Sequence, residues 1–211
     1  MRLVAVLQDT FNPFDSWFPG VECVVVSSPD EIVAHDVVIV WGGADIPPSL
    51  YGKTKSFMGG GREHVYGVDL TEWQCMLRAK ELGCAIIGVC RGGQMLTALG
   101  GGYLIQHIDN HGGPNHDVEC VDGTIINVNS YHHQMMVPPL DSDKAKLIGW
   151  TKGNRSKRYF DEDKLVTMHV EPELIHYPPI RGLAIQWHPE FHAADEPCNV
   201  WLKERWSNRG L

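Results

Sequence analysis

The sequence lacks several features that mark whole classes of protein. No apolar run approaches the roughly 20 residues that are needed to cross a bilayer. No basic patch is present, and the formal net charge of the chain is −8. An acidic surface repels the phosphates of nucleic acids and of anionic lipids, so we expect no nucleic-acid partner and no membrane partner. The first apolar stretch reaches Gln8 and Asp9 too soon for a signal peptide, which predicts a cytoplasmic protein.

Paired cysteines and repeats are missing as well. No Cys-x-x-Cys pair occurs, which argues against a zinc knuckle and against a thioredoxin-type motif. The even number of cysteines leaves a disulfide framework open, but a chain without a signal peptide is expected to keep its thiols reduced. The six cysteines are Cys23, Cys75, Cys84, Cys90, Cys120 and Cys198.

What is present is the composition of an ordinary globular protein. The chain has 211 residues, of which 43% are hydrophobic and 21% are charged. This length is enough for one sizeable core and too short for two comfortable domains. With no internal repeat, low-complexity tract or linker in view, we expect one domain over residues 1–211.

A cysteine on a sharp turn is the first chemical signal. The apolar run Ala85–Val89 predicts a buried strand of a parallel sheet, and Cys90 follows it directly. Two glycines then lead into a helix predicted over Gln94–Leu99. This is the layout of a nucleophile elbow, in which the helix N-terminus faces the sulfur and favours the reactive thiolate. The alternative is an inert cysteine that is buried in the core.

A histidine after a second strand supplies the matching base. Leu183–Trp187 predicts a strand, His188 lies just past its end, and Pro189 stops it. A cysteine nucleophile needs a base, and the base needs a carboxylate that orients it. Glu190 is two residues from His188 and can reach the other imidazole nitrogen. Cys90, His188 and Glu190 therefore form the hypothesis of a catalytic triad.

These two motifs together resemble a known family. Gly88–Gln94 (GVCRGGQ), combined with His188-Pro189-Glu190, is similar to the class I glutamine amidotransferases. Gly42–Gly52 and Val128–Gln134 resemble corresponding segments of the gamma-glutamyl hydrolase-like branch of that family. The matches run in order from about Val37 to Glu190.

The fold class follows from the residues and from the resemblance alike. Apolar strands that alternate with helices and short glycine-rich turns predict an open α/β sheet that is covered on both faces. Shorter strands in the second half of the chain predict additional antiparallel pieces. The resemblance implies an open, mostly parallel sheet sandwiched by helices, flavodoxin-like at its centre, with the site at the carboxyl ends of the strands.

The resemblance also implies a mechanism on a gamma-glutamyl amide. Cys90 attacks the side-chain carbonyl, and the backbone N–H groups of Gly43 and Arg91 form the oxyanion hole. His188 protonates the leaving amine and then activates water to hydrolyse a glutamyl thioester, while Glu190 orients His188. No metal and no organic cofactor is implied.

Other residues are expected to hold the glutamyl part of the substrate. Gly42, Gln94 and the loop Ser130-Tyr131-His132 are implied to bind it, the loop partly through backbone atoms. For the glycine pair at 42 and 43, a plain tight turn is the alternative. The glycine-rich segment Lys53–Gly67 predicts a loop that closes over the site. Arg62, within that segment, is a candidate for substrate contact.

Three histidines in Gly102–Cys120 raise the question of a metal site. We expect no metal there, because no acidic or cysteine partners stand at a fixed ligand spacing. The family has an aspartate where His107 stands, and the sequence leaves the roles of His107, His111 and His116 open.

Several shorter segments carry structural expectations. Asp9–Gly20 is aromatic and short, so it predicts either packing on the sheet or a partner surface, including that of a homodimer. Ser28-Pro29 predicts the start of a short helix over Asp30–Ala34. Lys152–Asp163 predicts a solvated loop, and Glu171–Pro179, with its prolines, an irregular segment.

The leaving amine decides between two functions. With a small gamma-glutamyl amine or peptide as substrate, the protein is a free-standing hydrolase. With glutamine as substrate, it is a glutaminase subunit that supplies ammonia to a synthetase partner. A third alternative is a catalytically inactive binding protein. Chaperone- or deglycase-like relatives of this sheet lack a distant His-Pro-Glu, so Glu190 argues against them.

Overall fold

A computed structural model describes residues 1–60, 64–141 and 143–209, the last two of them by their backbone alone. Arg62, the candidate for substrate contact, lies outside the described residues. The strands are β1 (Arg2–Val6), β2 (Glu22–Val26), β3 (Val37–Val40), β4 (Ala85–Val89), β5 (Tyr103–Ile105), β6 (His107–Ile108), β7 (His116–Cys120), β8 (Ile125–Val128), β9 (Met135–Val137), β10 (Lys146–Thr151), β11 (Tyr159–Asp161), β12 (Lys164–Val166), β13 (Pro172–Tyr177) and β14 (Gly182–Ile185). The α-helices are α1 (Val68–Glu81), α2 (Arg91–Leu99) and α3 (Pro197–Arg209). Short 3₁₀ helices cover Phe14–Trp17, Pro29–Glu31, Pro48–Tyr51, Pro178–Ile180 and Pro189–Phe191.

One nine-stranded sheet organises the fold, in the order β2-β1-β3-β4-β14-β13-β10-β7-β8. The strands from β2 to β14 are parallel, and those from β13 to β8 are antiparallel. Two small antiparallel sheets, β12-β11-β6 and β5-β9, stand beside it. The α/β fold with a large, mostly parallel sheet is therefore confirmed, as are the additional antiparallel pieces.

Apolar side chains fill both faces of this sheet. Every residue of β3 and β4 is buried, as expected for strands that are covered on both sides. Helices α1 and α2 pack on one face, and α3 covers part of the other. The segment before β2 joins the second face: Trp17 is buried, and its ring centre lies 5.7 Å from that of Trp206 in α3. Of the two alternatives for Asp9–Gly20, packing on the sheet is confirmed for its buried aromatics.

Three expectations about local structure were wrong. The segment predicted as irregular, Glu171–Pro179, contains β13, which is buried at every residue and lies between β10 and β14 in the main sheet. Its prolines stand at the first residue of the strand and just after its end, where a missing N–H costs little. The solvated loop over Lys152–Asp163 contains β11. The helix over Asp30–Ala34 is only the 3₁₀ helix Pro29–Glu31, although Ser28 caps it as predicted.

Among the helices that the structure describes, none has both the length and the apolar character that a membrane crossing requires.

Candidate active site

The turn that carries Cys90 is built by glycines. Cys90 follows β4 and has φ +50° and ψ −108°. Residues other than glycine rarely adopt a backbone conformation with positive φ. A Cβ at Gly88 would lie 2.4 Å from the carbonyl oxygen of Gly92, and one at Gly92 would lie 2.0 Å from that of Val40. Only glycine permits this approach of helix to sheet. Helix α2 begins at Arg91, earlier than the sequence predicts, so Cys90 is directly at its N-terminus.

His188 is held by its backbone at the end of β14. Its N–H donates to Oδ1 of Asn129 over 2.9 Å, and Nδ2 of Asn129 donates to its carbonyl oxygen over 2.7 Å. The 3₁₀ helix that starts at Pro189 brings Glu190 back, and Oε1 of Glu190 lies 2.7 Å from Nδ1 of His188. This contact leaves Nε2 of the imidazole for Cys90. Local sequence does not indicate this role of Asn129, because its partner is 59 residues away in the chain.

Two partners set the charge of His188. Burial lowers its pKa, but hydrogen bonds with the Cys90 side chain and with Glu190, and the negative charge of both, outweigh burial and raise the pKa to about 10. Both partners therefore favour the imidazolium form of His188. The structure thus brings together the three residues of the triad hypothesis, at the carboxyl ends of β4 and β14.

The residues predicted for the oxyanion hole lie beside this group. Gly42 follows β3, and a Cβ there would lie 2.5 Å from Cε1 of His188. A Cβ at Gly43 would lie 3.0 Å from Cδ of Arg91. Arg91 is the first residue of α2, and the first N–H groups of a helix have no partner within it. Both glycines therefore let the loop after β3 approach the side chains of His188 and Arg91.

The side chain of Arg91 forms ion pairs, whereas its backbone N–H is the group predicted for the oxyanion hole. It is buried and forms ion pairs with Asp69 and Glu72 of α1. Burial raises the pKa of Glu72, and the charge of Arg91 opposes that change. The guanidinium therefore ties α2 to α1. Local sequence does not indicate either acidic partner, because they lie 19 and 22 residues from Arg91 in the chain.

The residues predicted to bind the glutamyl group differ in burial and in the direction that their side chains face. Gln94 is buried, with Nε2 3.4 Å from Oε1 of Gln186, whose own Nε2 lies 3.9 Å from Sγ of Cys90. The side chains of Ser130 and His132 are buried and face away from solvent, into the histidine group described below. Tyr131, between them, is 59% exposed. A contact of this loop with substrate would thus use its backbone and Tyr131.

Aromatic rings surround the outer side of His188. The ring of Phe191 stacks on the imidazole, with ring centres 4.9 Å apart and planes 9° apart. Tyr131 stands at 6.1 Å from His188 and 5.9 Å from Phe191, edge-on to both. Phe191 follows Glu190 directly, but no sequence motif marks it as part of the site.

A cavity of about 340 Å³ opens beside the glycine pair. Its lining includes Gln8, Gly43, Asp45, Tyr66, Asp69 and Arg91. Asp45 is held in place, because it accepts from the N–H of Gly60 over 2.7 Å and lies 2.9 Å from Nε2 of His133. That hydrogen bond raises the pKa of His133. The cavity thus lies beside Gly43 and Arg91, the two residues predicted for the oxyanion hole.

The histidines of Gly102–Cys120 separate into two places. His107 in β6 is half-buried, and its ring centre lies 5.7 Å from that of His133. His111 and His116 are buried with His132, Glu171 and Glu173. The absence of acidic partners in the local sequence was misleading, since these two glutamates come from the segment at and just before β13.

Comparisons with known proteins bear on the family and on the fold. A family model described as Peptidase C26 matches residues 27–142. The glutamine amidotransferase-like protein YvdE of Lactococcus lactis is 28% identical over 176 residues, which are 74% of this chain and 66% of that protein, just under two thirds of it. PurLQS from Thermotoga maritima has a TM-score of 0.61 at 14% identity, with 99% of each chain covered. A glutamine amidotransferase from the same organism has a TM-score of 0.57 at 14% identity, with 99% of this chain and 83% of that chain covered. At such identities the two structures show the fold alone.

Proposed function

The chain belongs to the peptidase C26 family, and from that premise we propose that it is a cysteine hydrolase of small gamma-glutamyl amines or peptides. Membership makes it a glutamine amidotransferase-like hydrolase. The observation that carries the proposal of a cysteine hydrolase is the contact of Cys90, His188 and Glu190, in which both partners favour the charged form of the imidazole. A positive imidazole beside a thiol at a helix N-terminus favours the thiolate, which is the attacking form.

The reaction then runs through two tetrahedral intermediates. The thiolate of Cys90 attacks the gamma-carbonyl carbon, and the N–H groups of Gly43 and Arg91 bind the oxyanion. The C–N bond breaks as Nε2 of His188 gives its proton to the departing amine, which leaves a glutamyl thioester. Water gives a proton to His188 and attacks the thioester. The C–S bond then breaks, and glutamate leaves while Cys90 returns to the thiolate.

The remaining residues position this chemistry. Glu190 accepts from Nδ1 of His188 over 2.7 Å, which fixes the ring and stabilises its charged form. Gln94, Gly42 and the backbone of the Ser130-Tyr131-His132 loop hold the glutamyl part. We place the departing amine in the 340 Å³ cavity, which Gly43 and Arg91 line and whose size would admit a leaving group larger than ammonia.

The second candidate is a glutaminase that delivers ammonia to a synthetase partner. The name of the Lactococcus lactis relative, a glutamine amidotransferase-like protein, favours it. The two candidates share the nucleophile and differ only in the leaving group, so the substrate decides between them.

The experiment is an assay of amine and ammonia release by the purified chain. Glutamine is compared with a panel of gamma-glutamyl amines and peptides, using wild type, Cys90→Ala and Cys23→Ser, which alters an exposed thiol in β2. We expect turnover of a gamma-glutamyl amine that is lost in Cys90→Ala and kept in Cys23→Ser. Turnover of glutamine alone would favour the glutaminase. No turnover, with Cys90 alkylated no faster than a free thiol, would overturn both and leave the inactive binding protein.

A further inference from the structure

Three histidines from distant parts of the chain lie close to one buried carboxylate. Oε1 of Glu173 in β13 lies 3.1 Å from Nε2 of His116 and 3.1 Å from the hydroxyl of Thr151. It also lies 3.6 Å from Nδ1 of His111 and 3.7 Å from Nε2 of His132. The side chains of Glu173 and His111 are fully buried, and that of His132 is 1% exposed. The group lies inside the fold, behind the loop that carries Tyr131.

The outer nitrogens of two of these histidines are already engaged. Nε2 of His111 lies 3.1 Å from Oε2 of Glu171, and Nδ1 of His132 lies 2.9 Å from the carbonyl oxygen of Gln134. Both acceptors require a proton on the outer nitrogen, so the inner nitrogens of the neutral rings carry lone pairs. The hydroxyl of Ser130 donates to the carbonyl oxygen of His111 over 2.7 Å. It therefore does not donate to Nδ1, the inner ring nitrogen of His111. Metal-bound histidines have this arrangement, with the outer N–H on a carboxylate or carbonyl.

The lone pairs of His111 and His132 therefore face the carboxylate of Glu173, and two atoms of the group have no hydrogen-bond partner. Among the buried side-chain atoms of the described residues, Nε2 of His132 and Oε2 of Glu173 lack a hydrogen bond. Two acceptor nitrogens that face a carboxylate oxygen repel it unless something positive stands between them. The atoms are thus arranged for a bound cation or for additional protons.

The charges of the group point in the same direction. Glu171 and Glu173 are both fully buried, and within the described part of the chain their ion-pair partners are histidines only. Glu171 also accepts hydrogen bonds from the N–H groups of Arg155 and Ser156 and from the hydroxyl of Tyr159. The burial of Glu173 is therefore the more costly of the two unless a positive charge compensates it. One divalent cation supplies two positive charges and leaves the histidines neutral.

We propose that His111, His132 and Glu173 bind one zinc ion. Their three ligand atoms lie within 4.8 Å of one another. The separations of 3.6 and 3.7 Å are close to the edge of about 3.4 Å that a tetrahedron with zinc–ligand bonds of about 2.1 Å would have. Two imidazoles and a carboxylate suit zinc better than calcium or magnesium, which prefer oxygen ligands. Two imidazoles and one carboxylate oxygen leave a fourth tetrahedral position, which a water would fill.

The ion would be structural, and its place explains what it stabilises. His132 belongs to the loop that follows β8, and its N–H donates to the His111 carbonyl over 3.1 Å. A metal bound here fastens that loop, and the segment of His111, to β13 of the main sheet. Tyr131 and the backbone beside it would thereby be held in position next to His188.

The test measures metal in the untagged full chain. A Cys90→Ala, Cys198→Ser background removes the active-site thiol and the thiol of a second group, His192, Glu196 and Cys198. We expect about one zinc per chain by elemental analysis, a melting temperature that rises when zinc is returned to the stripped protein, and the visible absorption of tetrahedral Co²⁺ after substitution.

Two variants locate the site. His111→Asn should lose the bound zinc and the Co²⁺ absorption, whereas His107→Asn, a half-buried histidine outside the group, should keep both. A folded background protein that takes up neither zinc nor Co²⁺, and whose melting temperature zinc does not change, would overturn the proposal whether or not His111→Asn folds. Zinc uptake that His111→Asn leaves unchanged in a folded protein would overturn it as well.

Discussion

At the scale of single residues, the protonation of His188 connects stability with pH. Its pKa rises from 6.5 in the unfolded chain to about 10 in the folded one. The partners of His188 therefore stabilise the fold fully below about pH 6.5, and this stabilisation is lost as the pH rises through about 10. We expect Glu190→Gln to lower the free energy of unfolding most at about pH 6 and least above about pH 10. Urea unfolding of wild type and variant at both pH values measures this, and an equal loss at both would contradict it.

Gly42 tests the geometry around the same histidine. An alanine Cβ would lie 2.5 Å from Cε1 of His188, so the ring must move by roughly 1 Å, and such a displacement costs on the order of 100-fold in rate. We expect Gly42→Ala to lower kcat/KM by about that factor with little change in melting temperature. Gly112→Ala is the matched control, because no atom lies within 4 Å of its Cβ position. If Gly42→Ala retained full activity, the loop would not approach His188 as described.

Local sequence could predict the catalytic candidates but not the residues that support them. Cys90, His188 and Glu190 stand out because each motif lies in one short stretch, where glycine and proline fix the backbone. Asn129 and Gln186 contact His188 and Cys90 across 59 and 96 residues of chain. The hydrophobic periodicity of the sequence does not reveal such contacts, because they depend on the order of strands in the sheet.

At the scale of elements, β4 can be predicted from its local sequence, whereas β13 depends on contacts with distant strands. The run Ala85–Val89 is apolar and is bounded by glycine and a turn, so its strand is predicted to the residue. Strand β13 contains a glutamate, a histidine and a proline, and only its place between β10 and β14 makes it a buried strand. Within this strand, Glu173 is buried beside His111, His116 and His132.

The contact between α1 and α2 offers a test of its own. Arg91 is buried and pairs with Glu72, whose side chain is fully buried, so Glu72→Gln leaves part of a buried positive charge without a partner. We expect a loss of about 3 kcal/mol in the free energy of unfolding. Glu81→Gln, which breaks an exposed pair with Arg78 in the same helix, should change it by less than about 0.5 kcal/mol. Chemical denaturation measures both, and similar losses in the two variants would refute the assignment.

At the scale of the whole molecule, one sheet joins the two halves of the chain. Strand β14, from near the C-terminus, pairs with β4 on one side and with β13 on the other. A single domain over residues 1–211 stays a prediction from the sequence, as do a cytoplasmic location, a homodimer and a synthetase partner.

The single-domain prediction is open to a direct test. Because β14 belongs to both the parallel and the antiparallel part of the sheet, neither part should unfold alone. We expect tryptophan fluorescence and far-UV circular dichroism to report one coincident unfolding transition. Two separate transitions would show that the halves are independent units.

The measurement that tests the central claim most directly is the mass of the protein during turnover. The chain is mixed with a gamma-glutamyl substrate, quenched with acid, and analysed intact and after digestion. A cysteine hydrolase predicts a glutamyl group on Cys90 that disappears as substrate is consumed and never forms in Cys90→Ala. Turnover without any covalent glutamyl group, or turnover that Cys90→Ala retains, would contradict the proposed function.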